Sequence, residues 1–220
     1  MNVETSRDHL SDEFVEITRA DDRLLESFWL PLYRRAFPDQ ERVADEQHRA
    51  AAVAQAQHVL VGLDHGRPVS MARYDILAGG PGPSFAYLMY IAVVEDAVSG
   101  GHGRQMFSAI IRRASADPIT PTFLLFEVER PGLAVANEPY QSAERRIDFY
   151  TRQGSYFLNG VDYVQRLPGQ PGVPMLIMVR PLAGDVSPGS ALAAAVSLFG
   201  DNVRRVGNPS LSPAMDHAPS

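Results

Sequence analysis

The stretch that decides the fold spans residues 85–107 and reads FAYLMYIAVVEDAVSGGHGRQMF. Its first part, up to Val94, is an apolar run that predicts a buried β-strand. Glycines follow, and the apolar spacing after them predicts an amphipathic helix that carries Met106, Phe107, Ile110 and Ile111 on one face. The first N–H groups of such a helix have no partner within it and lie at the positive end of its dipole. We therefore expect the turn between strand and helix to bind an anion, most often a phosphate.

The composition of the chain excludes several classes of function. Its 220 residues carry a net charge of -6, so no broad basic surface for nucleic acid is expected. There is no cysteine, which rules out disulfides, thiolate nucleophiles and thiolate metal sites. The histidines are scattered without metal-ligand spacing, so no metal site is predicted. No apolar run approaches the ~20 residues that span a bilayer, and residues 1–12 lack a secretory signal, which makes a cytoplasmic location the expectation.

The order of predicted elements indicates a single mixed α/β domain. Strands are predicted at 13–18, 59–63, 68–77, 85–94, 122–129, 156–163 and 175–179, and helices at 21–38, 41–57, 102–117 and 142–153. Residues 1–12 are predicted to be an N-terminal extension and residues 13–182 the domain itself. Residues 183–220 are predicted to be a C-terminal extension, with a short helix at about 190–200 and a disordered tail from Gly207.

A second local motif lies at residues 146–156, RIDFYTRQGSY. An aromatic pair on a helix is followed there by a glycine and a hydrophobic strand. Together with Gly101-His102-Gly103 after the apolar strand, it resembles the signatures of the GCN5-related N-acetyltransferase (GNAT) superfamily over residues 13–182. The resemblance implies a mixed, mostly antiparallel sheet of six to seven strands, flanked by about four helices and containing a central splayed pair of parallel strands.

The resemblance also implies an activity and a set of site residues. The chain would move an acyl group such as acetyl from an acyl-coenzyme A thioester to the amine of a small molecule, by direct attack in a ternary complex. Tyr150 matches the position that often acts as general acid to the leaving sulfur. The backbone of the apolar strand would run beside the pantetheine arm, with the Val93 N–H as donor to the oxyanion. The residues that would bind the cosubstrate are Ile91, Ala92, Val93, Val98, Ser99, Gly100, Gly101, His102, Gly103 and Arg104.

Glu127 and Glu129 are the candidates for the base. They share one face of a predicted strand that is otherwise apolar, where a carboxylate is costly to bury without a purpose. Either could accept the proton of the amine or hold the substrate ammonium. The alternative is a structural salt network with Arg130, Arg145 or Arg146. Tyr150 likewise has the alternative of a core tyrosine.

Val98 departs from the family pattern, which usually has Arg or Gln near the coenzyme A pyrophosphate. A donor without the nucleotide end would fit this departure, so a carrier-protein phosphopantetheine thioester is an alternative to acyl-coenzyme A, with an acyl carrier protein as partner. A second alternative is a non-catalytic module that binds an acyl thioester. The apolar segment 191–199 leaves monomer and homodimer both open.

Overall fold

The computed structural model of the chain describes residues 13–79, 82–131, 140–166 and 172–215. They form one eight-stranded sheet with the strand order β1-β2-β3-β4-β5-β7-β6-β8. The strands are β1 (Glu13–Ile17), β2 (Gln57–Asp64), β3 (Arg67–Leu77), β4 (Phe85–Val93), β5 (Phe123–Glu129), β6 (Tyr156–Gln165), β7 (Val173–Pro181) and β8 (Val203–Ser212). The α-helices are α1 (Leu30–Ala36), α2 (Asp45–Ala51), α3 (His102–Ser115), α4 (Tyr140–Arg152) and α5 (Pro188–Phe199). A π-helical turn (Leu25–Trp29) leads into α1, and a 3-10 helix (Glu95–Gly100) leads from β4 to α3.

The central strands β4 and β5 are parallel and pair over a short stretch, whereas the other neighbouring strands are antiparallel. Only Ala86 with Leu124 and Tyr87 with Leu125 are in register before the two strands separate. A β-bulge in β4 accompanies the separation, because Arg73 of β3 faces Tyr90 whereas the next residue of β3 faces Leu88. A bulge bends its strand and strengthens the local twist, so this one turns the end of β4 away from β5.

The sheet buries a core on each face. One face packs α3 and α4 over residues such as Leu124, Phe126 and Met178. The other face packs α1 and α2 over the first strands and α5 over the last ones. Side chains of a strand alternate between faces, so Phe126 points towards α3 and α4 whereas Glu127 points to the opposite side.

The predicted architecture is confirmed as a mixed, mostly antiparallel sheet with a splayed parallel pair, and α1 to α4 supply the four helices. The sheet has eight strands, more than the six to seven expected. The second helix is shorter than predicted, since α2 ends at Ala51 and Gln57 already begins β2.

The prediction of a disordered tail from Gly207 is wrong for residues 207–212. They belong to β8, which pairs antiparallel with β6 through registers such as Leu158 with Leu211 and Tyr163 with Val203. β8 follows α5, the helix predicted at about 190–200. Most side chains of β8 are exposed, so its order comes from backbone pairing at the sheet edge, which its polar composition does not reveal.

Candidate active site

A cleft of about 630 Å³ lies where β4 and β5 separate. Its walls come from the end of β4, the end of β5, the segment that follows α1, and α4. Among the lining residues are Phe37, Glu41, Ile91, Ala92, Val93, Glu95, Val98, Glu127, Glu129, Arg146 and Tyr150. Ligand pockets commonly measure ~300–1,000 Å³, so the cleft has the size for small reactants.

The edge of β4 presents unpaired backbone groups to this cleft. The Val94 N–H donates to the Val69 carbonyl of β3 at 2.9 Å. Neighbouring residues of a strand direct their N–H groups to opposite edges, so the N–H groups of Val93 and Ile91 point away from β3 and towards the gap. β5 has already diverged there. The predicted oxyanion donor, Val93 N–H, is thus directed into the cleft.

The predicted anion-binding turn lies at the end of the cleft that Val93 and Val98 line. The 3-10 helix that precedes it begins with a hydrogen bond from the Ala97 N–H to the Val94 carbonyl at 3.0 Å. Gly101 has φ of 80°, a left-handed conformation that glycine adopts without strain, and it ends that helix and begins α3. The first bond of α3 runs from Gln105 N–H to the Gly101 carbonyl at 3.1 Å.

The N–H groups that stay available in this turn include those of His102, Gly103 and Arg104. In the described part of the chain, none of the three donates to a backbone carbonyl outside its own helix. They open the 14-residue helix α3 and therefore lie at the positive end of its dipole. These three amides belong to the set predicted to bind an anion between residues 98 and 104.

The His102 side chain does not extend from the turn into solvent. Its ring folds back over Gly100, where an added Cβ would meet Nε2 at 2.6 Å. Nε2 lies 3.8 Å from Asp64 Oδ2 at the β2–β3 hairpin, and Arg67 of the same hairpin forms an ion pair with Asp96. The hairpin therefore braces the turn, which the sequence did not predict.

Glu127 is a buried carboxyl on the wall of the cleft. Tyr87 on β4 donates its hydroxyl hydrogen to Glu127 Oε1 at 2.9 Å. Oε2 is buried and has no hydrogen-bond partner among the described residues. Burial raises the pKa of Glu127 from 4.5 to about 7, the Tyr87 hydrogen bond opposes this rise, and the negative charge of Glu41 adds to it. A group with such a pKa exchanges protons readily near neutral pH.

Phe199 packs against Tyr87, the residue that donates a hydrogen bond to Glu127. The last residue of α5 packs edge-on against the ring of Tyr87 at 5.7 Å and stacks on Tyr163 at 4.4 Å. The C-terminal segment, predicted as an extension of the domain, therefore contacts Tyr87, the hydrogen-bond partner of Glu127.

Glu129, the other predicted base, forms an ion pair with Arg146. Its Oε1 lies 2.7 Å from Nη2 of that residue on α4. The salt-bridge alternative is thus observed for Glu129, with Arg146 as its partner. The guanidinium occupies Oε1 of Glu129, whereas Oε2 of Glu127 has no hydrogen-bond partner among the described residues, so the geometry favours Glu127 for proton transfer.

Tyr150 reaches the cleft from α4, on the face of the sheet opposite to Glu127. Its ring packs against Phe126 at 4.5 Å and Phe107 at 5.3 Å, so it is a core residue as well as a lining residue. Burial raises the pKa of its hydroxyl well above the ordinary value, the guanidinium of Arg146 lowers it and Glu129 raises it. The hydroxyl therefore holds its proton at neutral pH and can donate it.

Tyr33 and Tyr90 fix the segment between α1 and α2 over the cleft. The Tyr90 hydroxyl donates to the Glu41 carbonyl at 3.2 Å. The Tyr33 hydroxyl accepts from Val43 N–H at 2.7 Å and lies 3.4 Å from the Tyr90 hydroxyl. Tyr90 belongs to β4. The strand that carries the predicted oxyanion donor therefore also holds the segment between α1 and α2 in place.

The structure brings together most of the predicted site residues and adds others. Ile91, Ala92, Val93, Val98, Glu127, Glu129 and Tyr150 all line one cleft, and the residues from Ser99 to Arg104 follow at its end. Arg104 is exposed in the first turn of α3. Sequence reasoning missed Tyr87, Tyr90 and Glu41. No local signal in the sequence placed Tyr87 beside Glu127, because the contact depends on which strands become neighbours and on their register.

Solved structures with the same fold were found by comparison. A protein from Bacteroides thetaiotaomicron described as a GNAT-family acetyltransferase aligns with a TM-score of 0.64 at 23% identity, over 86% of this chain and 98% of that one. NAA60 from Arabidopsis thaliana in complex with acetyl-CoA aligns with a TM-score of 0.60 at 13% identity, over 78% and 99%. An aminoglycoside 6'-N-acetyltransferase complexed with coenzyme A aligns with a TM-score of 0.59 at 10% identity, over 80% and 99%. The chain therefore has the GNAT fold, as its sequence resemblance implies.

No protein-family model matches the sequence, and neither does any curated protein. Within the described ranges, no group of three or more His, Asp or Glu side chains is arranged so that it could hold a metal ion. None of the helices described is both long and apolar enough to cross a bilayer.

Proposed function

We propose that this protein is an N-acyltransferase that moves an acyl group from acyl-coenzyme A to the amine of a small molecule. The observation that carries the proposal is the Tyr87–Glu127 pair, a buried carboxyl with a pKa of about 7 in the cleft between β4 and β5. Amine attack requires a neutral nitrogen, and a base of this pKa removes its proton near neutral pH. The GNAT fold supports the same activity, because the NAA60 and aminoglycoside enzymes that share it were solved with acetyl-CoA or coenzyme A.

The residues of the cleft account for each proton and charge of the transfer. Glu127 takes the proton of the amine, directly or through one water, as nitrogen forms its bond to the thioester carbon. The Val93 N–H stabilises the negative charge that develops on the carbonyl oxygen. Tyr150 gives its proton to sulfur as the carbon–sulfur bond breaks. Glu127 and Tyr150 act from opposite faces of the sheet, which suits direct attack in a ternary complex.

Two features would hold the acyl donor. The exposed edge of β4 at Ile91 and Val93 can pair with the amides of an extended pantetheine arm, as a strand edge pairs with an added strand. The amides of His102, Gly103 and Arg104 would receive the pyrophosphate at the N-terminus of α3. We favour acyl-coenzyme A over a carrier-bound donor, because NAA60, which shares the fold, was solved in complex with acetyl-CoA.

A binding and turnover experiment tests this function. Purified protein is titrated with acetyl-CoA by calorimetry, and thiol release is then followed with a panel of primary amines. We expect micromolar binding and amine-dependent release of thiol. Binding without release of thiol for every amine would instead support the non-catalytic thioester-binding module.

One observation keeps the carrier-protein donor as a second candidate. Val98 is 66% exposed at the mouth of the cleft and offers no charge to a pyrophosphate. A phosphopantetheine thioester on an acyl carrier protein has a single phosphate and no nucleotide. Equal kcat/KM for acetyl-CoA and for acetyl-phosphopantetheine would indicate that the nucleotide contributes nothing to recognition and would favour this donor.

A further inference from the structure

A group of buried polar side chains lies outside the cleft, between α2 and β3. His48 of α2 is fully buried, and Arg73 and Asp75 of β3 are 4% and 8% exposed. Arg73 Nη1 donates a hydrogen bond to His48 Nδ1 at 3.2 Å, and Arg73 Nε lies 3.5 Å from Asp75 Oδ1. None of the three is among the described residues that line the cleft, and the proposed reaction uses none of them.

The buried guanidinium of Arg73 is not explained by the stability of the fold. Taking two charges out of water costs about as much as their attraction returns, and well-packed apolar residues often replace a buried ion pair without loss. The group is also only partly satisfied, because Arg73 Nε, Asp75 Oδ1 and His48 Nε2 have no hydrogen-bond partner among the described residues. The position of Arg73 relative to the cleft offers another reason for its presence.

Arg73 lies opposite the irregularity that opens the cleft. It faces Tyr90 across β3 and β4, and the bulge in β4 follows at the next pair of residues. The ring of His48 fills the space between this point and α1. Its centroid lies 4.5 Å from that of Trp29, 4.3 Å from that of Tyr33 and 5.5 Å from that of Tyr90. The hydrogen bond from Arg73 thus holds a ring around which three aromatic side chains pack.

The ring of His48 is neutral near neutral pH. Burial, together with the positive charge of Arg73, lowers the pKa of His48 from 6.5 to about 3. A guanidinium only donates hydrogen bonds, so Nδ1 of the ring accepts and the ring proton lies on Nε2. The contact with Arg73 therefore selects one tautomer and one orientation of the ring.

The aromatic side chains around His48 hold the wall of the cleft that residues 37–43 form. Phe37 lines the cleft, and its ring packs against Tyr90 at 4.9 Å and against Tyr33 at 5.7 Å. The hydroxyl groups of the same two tyrosines form hydrogen bonds with the backbone of the segment. These contacts between the wall and the rest of the domain all pass through rings that contact His48.

We infer that Arg73 is a positioning residue for the acceptor amine, because its hydrogen bond to His48 holds residues 37–43 in place as one wall of the cleft. The inference rests on the proposed function and deepens it. The wall lies on the face of the sheet to which Glu127 points, the side from which the amine would arrive. The acyl donor would bind along the edge of β4 and at the first turn of α3, so loss of the hydrogen bond should weaken binding of the acceptor and not of the donor.

Hydrogen–deuterium exchange measures how firmly residues 37–43 are held. The Val43 N–H donates to the Tyr33 hydroxyl at 2.7 Å, so the peptide that covers this segment reports on the cluster directly. In the wild type it should exchange at least about tenfold more slowly than an unstructured peptide. His48→Phe keeps a ring in the same space but leaves Arg73 without its acceptor, and it should raise the exchange rate about tenfold or more.

His58→Phe is the matched control for His48→Phe. The ring of His58 is also mostly buried, stacks on Tyr74 at 4.5 Å and contacts a charged partner, Glu16, at 2.6 Å. Tyr74 belongs to the core under α3 and α4, so this histidine lies on the opposite face of the sheet. His58→Phe should leave the exchange of residues 37–43 within about twofold of the wild type.

A milder variant serves if His48→Phe does not fold. Arg73→Lys replaces the planar fork by a single point charge on a flexible stem, which cannot hold the ring of His48 in the same way. It should raise the exchange rate of residues 37–43 by about threefold or more. The exchange of the wild type tests the inference without any variant.

Steady-state kinetics separate positioning from a general weakening of the fold. The substrates are acetyl-CoA and the primary amine of the panel that the wild type turns over fastest. His48→Phe should raise the KM for the amine about fivefold or more, and keep kcat and the KM for acetyl-CoA within about twofold. His58→Phe should leave all three constants within about twofold.

The outcomes separate this inference from the proposed function. Exchange of residues 37–43 as fast as in an unstructured peptide, or exchange that His48→Phe leaves unchanged, overturns the inference alone. An equal effect of His48→Phe and His58→Phe on this exchange, or an equal rise of both KM values in His48→Phe, does the same. Failure of the wild type to bind acetyl-CoA, with no turnover of any amine, overturns both.

Discussion

Replacing Glu127 by Gln tests the burial of the proposed base through folding stability. Glu127 keeps its proton in the folded protein up to about pH 7, whereas in the unfolded chain it loses the proton near its ordinary pKa of 4.5. Between these values the unfolded state binds fewer protons, so stability falls as pH rises across the window. At 1.36 kcal/mol per pKa unit, the loss amounts to about 3 kcal/mol once Glu127 is fully ionised.

Glu127→Gln should abolish this loss. The amide carries no charge, fits the same space and can still accept the Tyr87 hydrogen bond through its oxygen. At about pH 8.5 the variant is expected to be more stable than the wild type by up to about 3 kcal/mol, or about 6–12 °C in Tm for a chain of this size. At about pH 5 the difference should shrink towards zero. Calorimetric scans at both pH values measure it, with exposed Glu46→Gln as the control.

The same variant tests the role of Glu127 in catalysis. Wild-type kcat/KM should rise with pH through about 7, the pKa of the group that must lose its proton. In Glu127→Gln the rate should fall by about 10²–10³-fold and this acid limb should disappear. A Tm difference that does not depend on pH would refute the burial argument. An acid limb that persists in the variant would refute the assignment of the base.

Three further predictions concern other parts of the cleft. Tyr150→Phe should lower kcat at least tenfold and change Tm little, because the ring packing is kept; an unchanged kcat would remove Tyr150 as the acid. Val98→Arg should lower the KM for acetyl-CoA about tenfold by adding a charged contact to the pyrophosphate, without changing that for acetyl-pantetheine, which has no phosphate. Tyr90→Phe should raise the acceptor KM by about three- to tenfold while leaving the acetyl-CoA KM within twofold, since it frees the Glu41 carbonyl. Tyr74→Phe, another buried tyrosine, is its control.

Much of the fold could be predicted from local sequence pattern. The apolar run of β4, the glycine turn and the amphipathic α3 follow from spacing and from the conformational freedom of Gly101. The alternation of side chains along β4 breaks at Met89. Strict alternation would place Tyr87 and Ile91 on the same face of the sheet. The bulge reverses the alternation, so Tyr87 packs with α5 while Ile91 packs towards α3. No local signal in the sequence marked this bulge.

By itself the sequence determined the class of fold, the glycine turn between β4 and α3 and the absence of cysteine chemistry, because these depend on residue types and on neighbours within a few positions. The tertiary structure alone decided that Glu127 meets Tyr87 across 40 residues and that Glu129 meets Arg146. It also decided that residues 203–212 complete the sheet. The physical reason is that strand register and backbone pairing at an edge are set by the whole sheet, and the burial that raises the pKa of Glu127 exists only once distant strands have come together.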